Sequence, residues 1–171
     1  MPIDPCLKKR LRAAKKIVRK GMNDPFYTLV AKKTRVGVKT VLVDSNGNKS
    51  VSLSMKPGYY VIYRQLSKEL QCLYVGKSNH SIHGRVNRWA KGVAGNLRPD
   101  ENHPGATKAR RDGVRLTDKL MVKFILMDEV TKIIDDVDVW NEPLDEWIAP
   151  LLKSKYNENV FELGASLEDF F

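Results

Sequence analysis

The chain has 171 residues, 42 % of them hydrophobic, enough for one substantial core and a small annex. Its net charge of +10 and pI near 9.6 favour a polyanionic partner, nucleic acid before membrane. No apolar run approaches the ~20 residues of a membrane span, no apolar stretch of a secretory signal follows the charged N-terminus, and Cys6 and Cys72 are too far apart for a metal-ligand spacing or a disulfide framework. A cytoplasmic protein is the simplest expectation.

The charge is unevenly placed. Leu7 to Lys20 carries eight basic residues and no acid, whereas Asp128 to Glu146 carries eight acids and one base, Lys132. The positive face therefore belongs to the front and middle of the chain. Asp4-Pro5 reads as an N-cap with proline in the first turn, and Leu7, Leu11, Ala14, Ile17 and Val18 recur at helical spacing up to Gly21. Lys8, Arg12 and Lys15 lie on the other faces of this amphipathic helix, placed either along a nucleic-acid backbone or in solvent. Residues 36–43 and 51–55 alternate Val with polar residues around Ser45-Asn46-Gly47-Asn48, which predicts a β-hairpin. Residues 1–56 are thus expected to form an N-terminal basic extension, a candidate nucleic-acid contact, and 57–171 the core domain.

After Pro57-Gly58, Tyr59–Tyr63 and Gln71–Val75 read as two strands of a hairpin, and Ile82–Lys91 as a helix with Ile82, Val86 and Trp89 or Ala90 inward. Residues 92–118 show little apolar periodicity and predict a long inserted loop. Its basic side chains Arg98, Lys108, Arg110, Arg111 and Arg115 are candidate DNA contacts, with Arg88 on the preceding helix. Leu120–Met127 has strand character. A helix is predicted from Asn141, with Trp147, Ile148, Leu151 and Leu152 on its apolar stripe and Pro150 shortening or kinking it.

A polar set emerges from this order. Gly58-Tyr59-Tyr60 and Tyr74-Val75-Gly76 lie a hairpin apart, with Lys77 after the glycine, Arg85 on the next helix, Glu146 on the late helix and Asn157 eleven residues beyond it. Phosphodiester hydrolysis needs an in-line nucleophile and stabilisation of charge on the phosphoryl oxygens. Arg85 can donate fixed, charged hydrogen bonds to phosphate. Glu146 is a hard oxygen ligand suited to Mg²⁺ or Mn²⁺. Phenols with a free pKa near 10, such as Tyr60 and Tyr74, need a nearby cation to act as bases.

These motifs resemble the signature of the GIY-YIG nucleases over roughly residues 57–157. The resemblance implies an α+β fold whose core is a small central antiparallel three-stranded β-sheet flanked by helices. It also implies a metal-dependent endodeoxyribonuclease with one Mg²⁺ or Mn²⁺ per active site. Glu146 would hold the metal, Arg85 would bind the scissile phosphate, and Tyr60 or Tyr74, aided by Lys77, would orient or deprotonate the attacking water. Asn157 would organise the site. Trp89 departs from the pattern, standing where the family commonly carries His or Tyr; His80 or His83 could replace that group, or nothing does. A chain this small, ending soon after Asn157, suggests a site-specific type II restriction enzyme acting on double-stranded DNA, as a homodimer if it cuts palindromes. A phage or mobile-element endonuclease is the alternative, and a non-catalytic basic DNA-binding protein is the rival from another class. Gly76-Lys77-Ser78 is no phosphate-binding loop, because Gln71 stands where that motif needs glycine.

Overall fold

The computed structural model describes residues 5–21, 26–49, 55–134 and 144–157. In chain order it contains α1 (Pro5–Lys16), continued by a wider helical turn Ile17–Gly21, then β1 (Tyr27–Thr34), β2 (Gly37–Val43), β3 (Gly58–Gln65) and β4 (Leu70–Ser78). These are followed by α2 (Ile82–Ala94), α3 (Pro104–Arg111), β5 (Leu120–Leu126), α4 (Met127–Ile133) and α5 (Asp145–Leu151). The strands form one antiparallel sheet in the order β2-β1-β5-β3-β4.

The three-stranded sheet expected from sequence is therefore enlarged. β3, β4 and β5 do form a three-stranded unit, but Tyr27 and Thr28 of β1 pair with Val122 and Met121 of β5, which adds β1 and β2 to the same sheet. β2 also has a partner not expected from the sequence: β1, joined to it across Arg35-Val36. The Ser45–Asn48 turn does form: Asp44 accepts from the Asn46 and Asn48 amides at 2.9 and 2.8 Å, and Val43 bridges Lys49 beyond it. Residues 51–54, Asn141, Pro143 and the C-terminal 158–171 lie outside the described residues.

Because successive strand side chains point to opposite faces, β3 divides the core in two. Tyr59 and Val61 pack with Val75 against Leu11, Ala14 and Ile17 of α1 and Trp147 and Ile148 of α5. Tyr60 and Ile62 pack on the other face with Ile82, Val86 and Trp89 of α2 and Ala106 and Ala109 of α3. Residues 1–56 thus contribute both a helix to one core layer and two strands to the sheet. The inserted loop expected over 92–118 includes ordered helix. α2 runs on to Ala94, and α3 starts with His103 as N-cap and Pro104 in the first turn, then buries its small residues Gly105, Ala106 and Ala109. Pro150 shortens its helix as anticipated: α5 ends at Leu151.

Candidate active site

β4 is an edge strand, and the chain returns to cover that edge after α5. The Lys155 and Tyr156 amides donate to the carbonyls of Cys72 and Leu73 at 3.2 and 2.9 Å. Asn157 then brackets Val75: its Oδ1 accepts from the Val75 N–H at 2.9 Å and its Nδ2 donates to the Val75 carbonyl at 2.7 Å. Ser154 Oγ donates to the same Oδ1 at 2.6 Å. Both ends of the Asn157 amide are thereby engaged in holding the strand, so its contribution to a site is positional.

This closure leaves a cavity of about 180 Å³ between β4, the start of α3 and the start of α5. Tyr74, His103, Gly105, Asp145, Glu146 and Asn157 are among its walls. The two signature tyrosines approach each other behind it, with ring centroids 6.2 Å apart. Tyr60 pairs with Gly76 across the hairpin, and its phenol end lies where a Gly76 side chain would be, with Cζ and Oη 2.5 Å from the position of a Cβ. The glycine of the second motif is thus the seat of the tyrosine of the first. The tyrosines differ in environment. Tyr60 is buried, and burial raises its phenol pKa far above the usual value; the Tyr74 phenol adds to the rise and the Arg85 charge opposes it. Tyr74 is half-buried and faces the cavity.

Asp145 and Glu146 enter the cavity from the first turn of α5. Asp145 Oδ1 is buried and has no hydrogen-bond partner among the described residues. Burial raises the Asp145 pKa, the neighbouring Glu146 contributes in the same direction, and Lys77 and Arg85 pull it back. The resemblance implies Glu146 as the single carboxylate of this helix; the structure brings both Asp145 and Glu146 to the cavity.

His103 reads in the sequence only as part of a basic loop. It is 7 % exposed, its ring stands edge-on to Tyr74 with centroids 4.9 Å apart, and its Nδ1 accepts from the Ala106 amide at 3.3 Å. An accepting Nδ1 puts the proton of the neutral ring on Nε2. Burial holds its pKa down at about 4, with the Arg85 and Arg88 charges acting in the same direction. The two histidines suggested as replacements for the missing helix group stand elsewhere. His83 Nε2 bonds the Thr40 carbonyl at 2.6 Å, and His80 is exposed before α2. Trp89 is fully buried among Tyr60, Val86 and Ala106, and its Nε1 has no partner among the described residues.

Lys77 is not gathered with the tyrosines. It pairs with Tyr59 on the opposite face of the hairpin, its Nζ 5.8 Å from the centre of that ring. Its charge is felt at Asp145. Arg85 and Arg88 are exposed on α2, and both charges are felt at Tyr60 and His103.

The predicted DNA-contacting residues fall on two sides of the sheet. Lys8 and Arg12 are exposed on α1 and Lys15 is half-buried there, over the Tyr59 face. Arg88, Arg98, Lys108, Arg110, Arg111 and Arg115 lie on the Tyr60 face, along α2, α3 and the turns beside them. No helix among the described residues is long and apolar enough to cross a membrane. Among those residues no group of three or more His, Cys, Asp or Glu side chains gathers as a metal cage.

No protein-family model matches the sequence, no curated protein is significantly similar to it, and no solved structure is significantly similar to its fold.

Proposed function

We propose that this chain is a metal-dependent endodeoxyribonuclease that hydrolyses phosphodiester bonds in double-stranded DNA, with its active site at the Tyr74 cavity. The observation that carries the reading is the convergence on one cavity of Tyr74 and two carboxylates, Asp145 and Glu146, with Tyr60 and the Arg85 charge behind them. A second strand of support is the excess of positive charge, +10, on a chain that has to meet a polyanion.

The carboxylates fit a magnesium-type ion. Such an ion keeps several waters and takes only one or two carboxylates from the protein. Asp145 Oδ1, buried with no hydrogen-bond partner among the described residues, has an oxygen to give beside Glu146. When bound, the ion would neutralise phosphate charge and lower the pKa of coordinated water.

The chain's own residues divide the remaining work. Arg85 binds a non-bridging oxygen of the scissile phosphate. Tyr74, the tyrosine open to the cavity, orients the attacking water and accepts a hydrogen bond from it. Tyr60, seated on Gly76, fixes the Tyr74 ring. The Nε2–H of His103 is a neutral donor toward phosphate or the leaving oxygen, in place of the helix group that Trp89 cannot supply. The P–O bond to the leaving oxygen breaks as the water oxygen bonds phosphorus; the proton the water gives up passes to solvent, and the leaving oxygen takes one from solvent. Lys77 acts at a distance, through the charge of Asp145.

The decisive experiment incubates supercoiled plasmid with the protein in Mg²⁺ or Mn²⁺ and again in EDTA. Nicked or linear products should form only with metal, and Glu146→Gln should keep DNA affinity while losing cleavage by about 10²-fold or more. Binding without metal-dependent cutting would make the protein a DNA-binding module and end the nuclease reading. The narrower proposal is a site-specific restriction-type enzyme working as a homodimer, against a phage or mobile-element enzyme of low specificity. Sequencing the ends released from a genome of known sequence separates these, since discrete ends at a short motif support restriction and a smear opposes it.

A further inference from the structure

The β1–β2 hairpin does more than widen the sheet. β1 pairs with β5 only at Tyr27 and Thr28, whereas its pairing with β2 continues to Thr34 and Gly37. Six residues of β1 beyond Thr28 therefore extend past the sheet as a two-stranded ribbon, about 20 Å at ~3.3 Å per residue. The turn at its tip has only Arg35 and Val36, neither with positive φ. Gly37, at φ +127°, takes the conformation that a side chain would strain, and Thr34 Oγ1 donates to its carbonyl at 3.1 Å.

The ribbon has one anchored face and one free face. Toward α2, Val38, Thr40 and Leu42 are buried, and the Thr40 amide donates to Asn87 Oδ1 at 3.1 Å. On the other face Val30, Lys32 and Lys39 are exposed, and the tip is fully open, with Val36 at 93 % exposure. Lys32 and Lys39 are direct cross-strand partners. With Lys33 and Arg35 they make four cations between Tyr27 and Val43, and no acid stands among them. Like charges directly opposed across two strands destabilise a ribbon; a polyanion lying on it relieves that repulsion.

Beneath the anchored face lies a second cavity, of about 550 Å³, between Lys33 and Val38 of the ribbon and Arg110 and Arg115 across from them. Arg115 is held in place there, its Nη1 donating to the carbonyls of Arg110 and Val114 at 3.0 Å each.

We infer that the β1–β2 ribbon enters the major groove of the DNA duplex as the chain's base-reading element, while Lys32 and Lys39 on its free face and Lys33, Arg110 and Arg115 beside it hold flanking phosphates, an inference that rests on the nuclease reading for its choice of DNA. The major groove of B-DNA admits a two-stranded ribbon, and the deep, narrow one of duplex RNA does not. At the tip, Arg35 offers a donor fork of the kind that reads guanine, and Val36 an apolar surface for a thymine methyl.

The test uses the full chain with Lys32, Arg35 and Lys39 changed together to alanine, all three at exposed positions. Binding to a labelled mixed-sequence DNA duplex is followed by anisotropy in EDTA between 50 and 200 mM salt, about the range over which phosphate binding is read. Affinity at the low end should fall at least ~10-fold, and the slope of log K on log salt should shrink by about 2, near 0.9 for each phosphate the variant no longer neutralises. The melting temperature should be unchanged or raised, because opposed charge has been removed. A separate Val36→Ser variant should keep the slope and lose preference among duplex sequences. Wild-type affinity and slope in the triple variant would overturn the inference, as would equal competition by duplex RNA. Loss of solubility alone would also overturn it, because lysines on an edge strand then serve only to prevent aggregation. Metal-dependent cutting by the wild type is scored separately. Ribbon-dependent DNA binding by a wild type that never cuts keeps this inference and ends the nuclease reading, and cutting by a triple variant of undiminished affinity does the reverse.

Discussion

The two outer strands of the sheet are finished in opposite ways. At β4 the chain returns after α5 and lays backbone amides and the Asn157 carboxamide along the edge. At β2 the edge is met at Thr40, by Asn87 and His83 of α2, and the strand then runs out with its hairpin partner into a cationic tip. The first finish fixes polar atoms around a small cavity, which is what reactive chemistry needs. The second gives up burial for reach and charge, which is what association with a polyanion needs. Changes at the β4 edge should therefore move stability and cleavage but leave the salt dependence of binding intact, and changes at the ribbon should do the opposite.

The harshest way to break that contrast is Gly76→Ala. A methyl there meets the Tyr60 ring 2.5 Å away in a buried site, so either the hairpin shifts or the phenol leaves its seat. We expect a loss of about 3 kcal/mol, the upper part of the range for overpacking a core. Cleavage should fall with it as Tyr74 loses its neighbour, while the salt slope stays wild type. Denaturant unfolding and a binding titration check both halves. Undiminished stability would mean that Tyr60 does not lie across Gly76. A milder break is Asn157→Ala, which strips the Val75 N–H and carbonyl of their partners. Leaving such groups unpaired costs about 1–2 kcal/mol, less where water replaces the lost side chain. Cleavage should drop further than stability alone explains, because Tyr74 and the α5 carboxylates are held from this edge. An Asn157→Ala enzyme with full activity would detach the edge closure from the chemistry.

What sequence reveals follows from how local each feature is. The hairpin of β3 and β4 is legible because Gly58-Tyr59-Tyr60 and Tyr74-Val75-Gly76 combine strand-forming aromatics with the glycine one of them needs. The inward residues of α2 are legible from period alone: Ile82, Val86, Trp89 and Ala90 are all buried. By contrast α3 is hidden, since Gly105, Ala106 and Ala109 are too small to draw a hydrophobic stripe and Pro104 reads as loop punctuation. Only the tertiary fit against Tyr74 and α2 makes them core. The pairing of β1 with β2 escapes notice because Lys32, Lys33 and Thr34 end the apolar run within the ribbon; Gly37 after Arg35-Val36 is the available signal. The Asn46-Gly47 turn is real, and beyond it Lys49 bridges Val43. At the site, Glu146 and Asn157 are singled out by the family resemblance. His103 and Asp145 join only because α3 and α5 close on β4, a juxtaposition no periodicity encodes.

His103 offers the finest test, because its effect is small and its sign is fixed. Burial holds the folded-state pKa at about 4, below the ordinary 6.5. Between those values the unfolded chain binds the extra proton and the folded chain does not. The stability tied to the neutral ring is therefore full above pH 6.5 and is lost as pH falls toward 4, where the loss levels off. At pH ~6 the deficit is about 1 kcal/mol, and it grows toward pH ~5. Asp145 runs the other way: its raised pKa lets the folded state hold a proton more readily, which favours the fold as pH falls toward the carboxylate range. The two are separated by difference. His103→Asn keeps a side chain suited to the N-cap of α3 and removes the imidazole titration. Its stability should hold nearly level from about pH 7 to 5.5 while the wild type declines, with the two curves diverging on acidification. Parallel decline of both would mean that the ring is not the buried neutral donor assigned to the cavity, and the β4 edge would lose the residue that stands in for the group missing at Trp89.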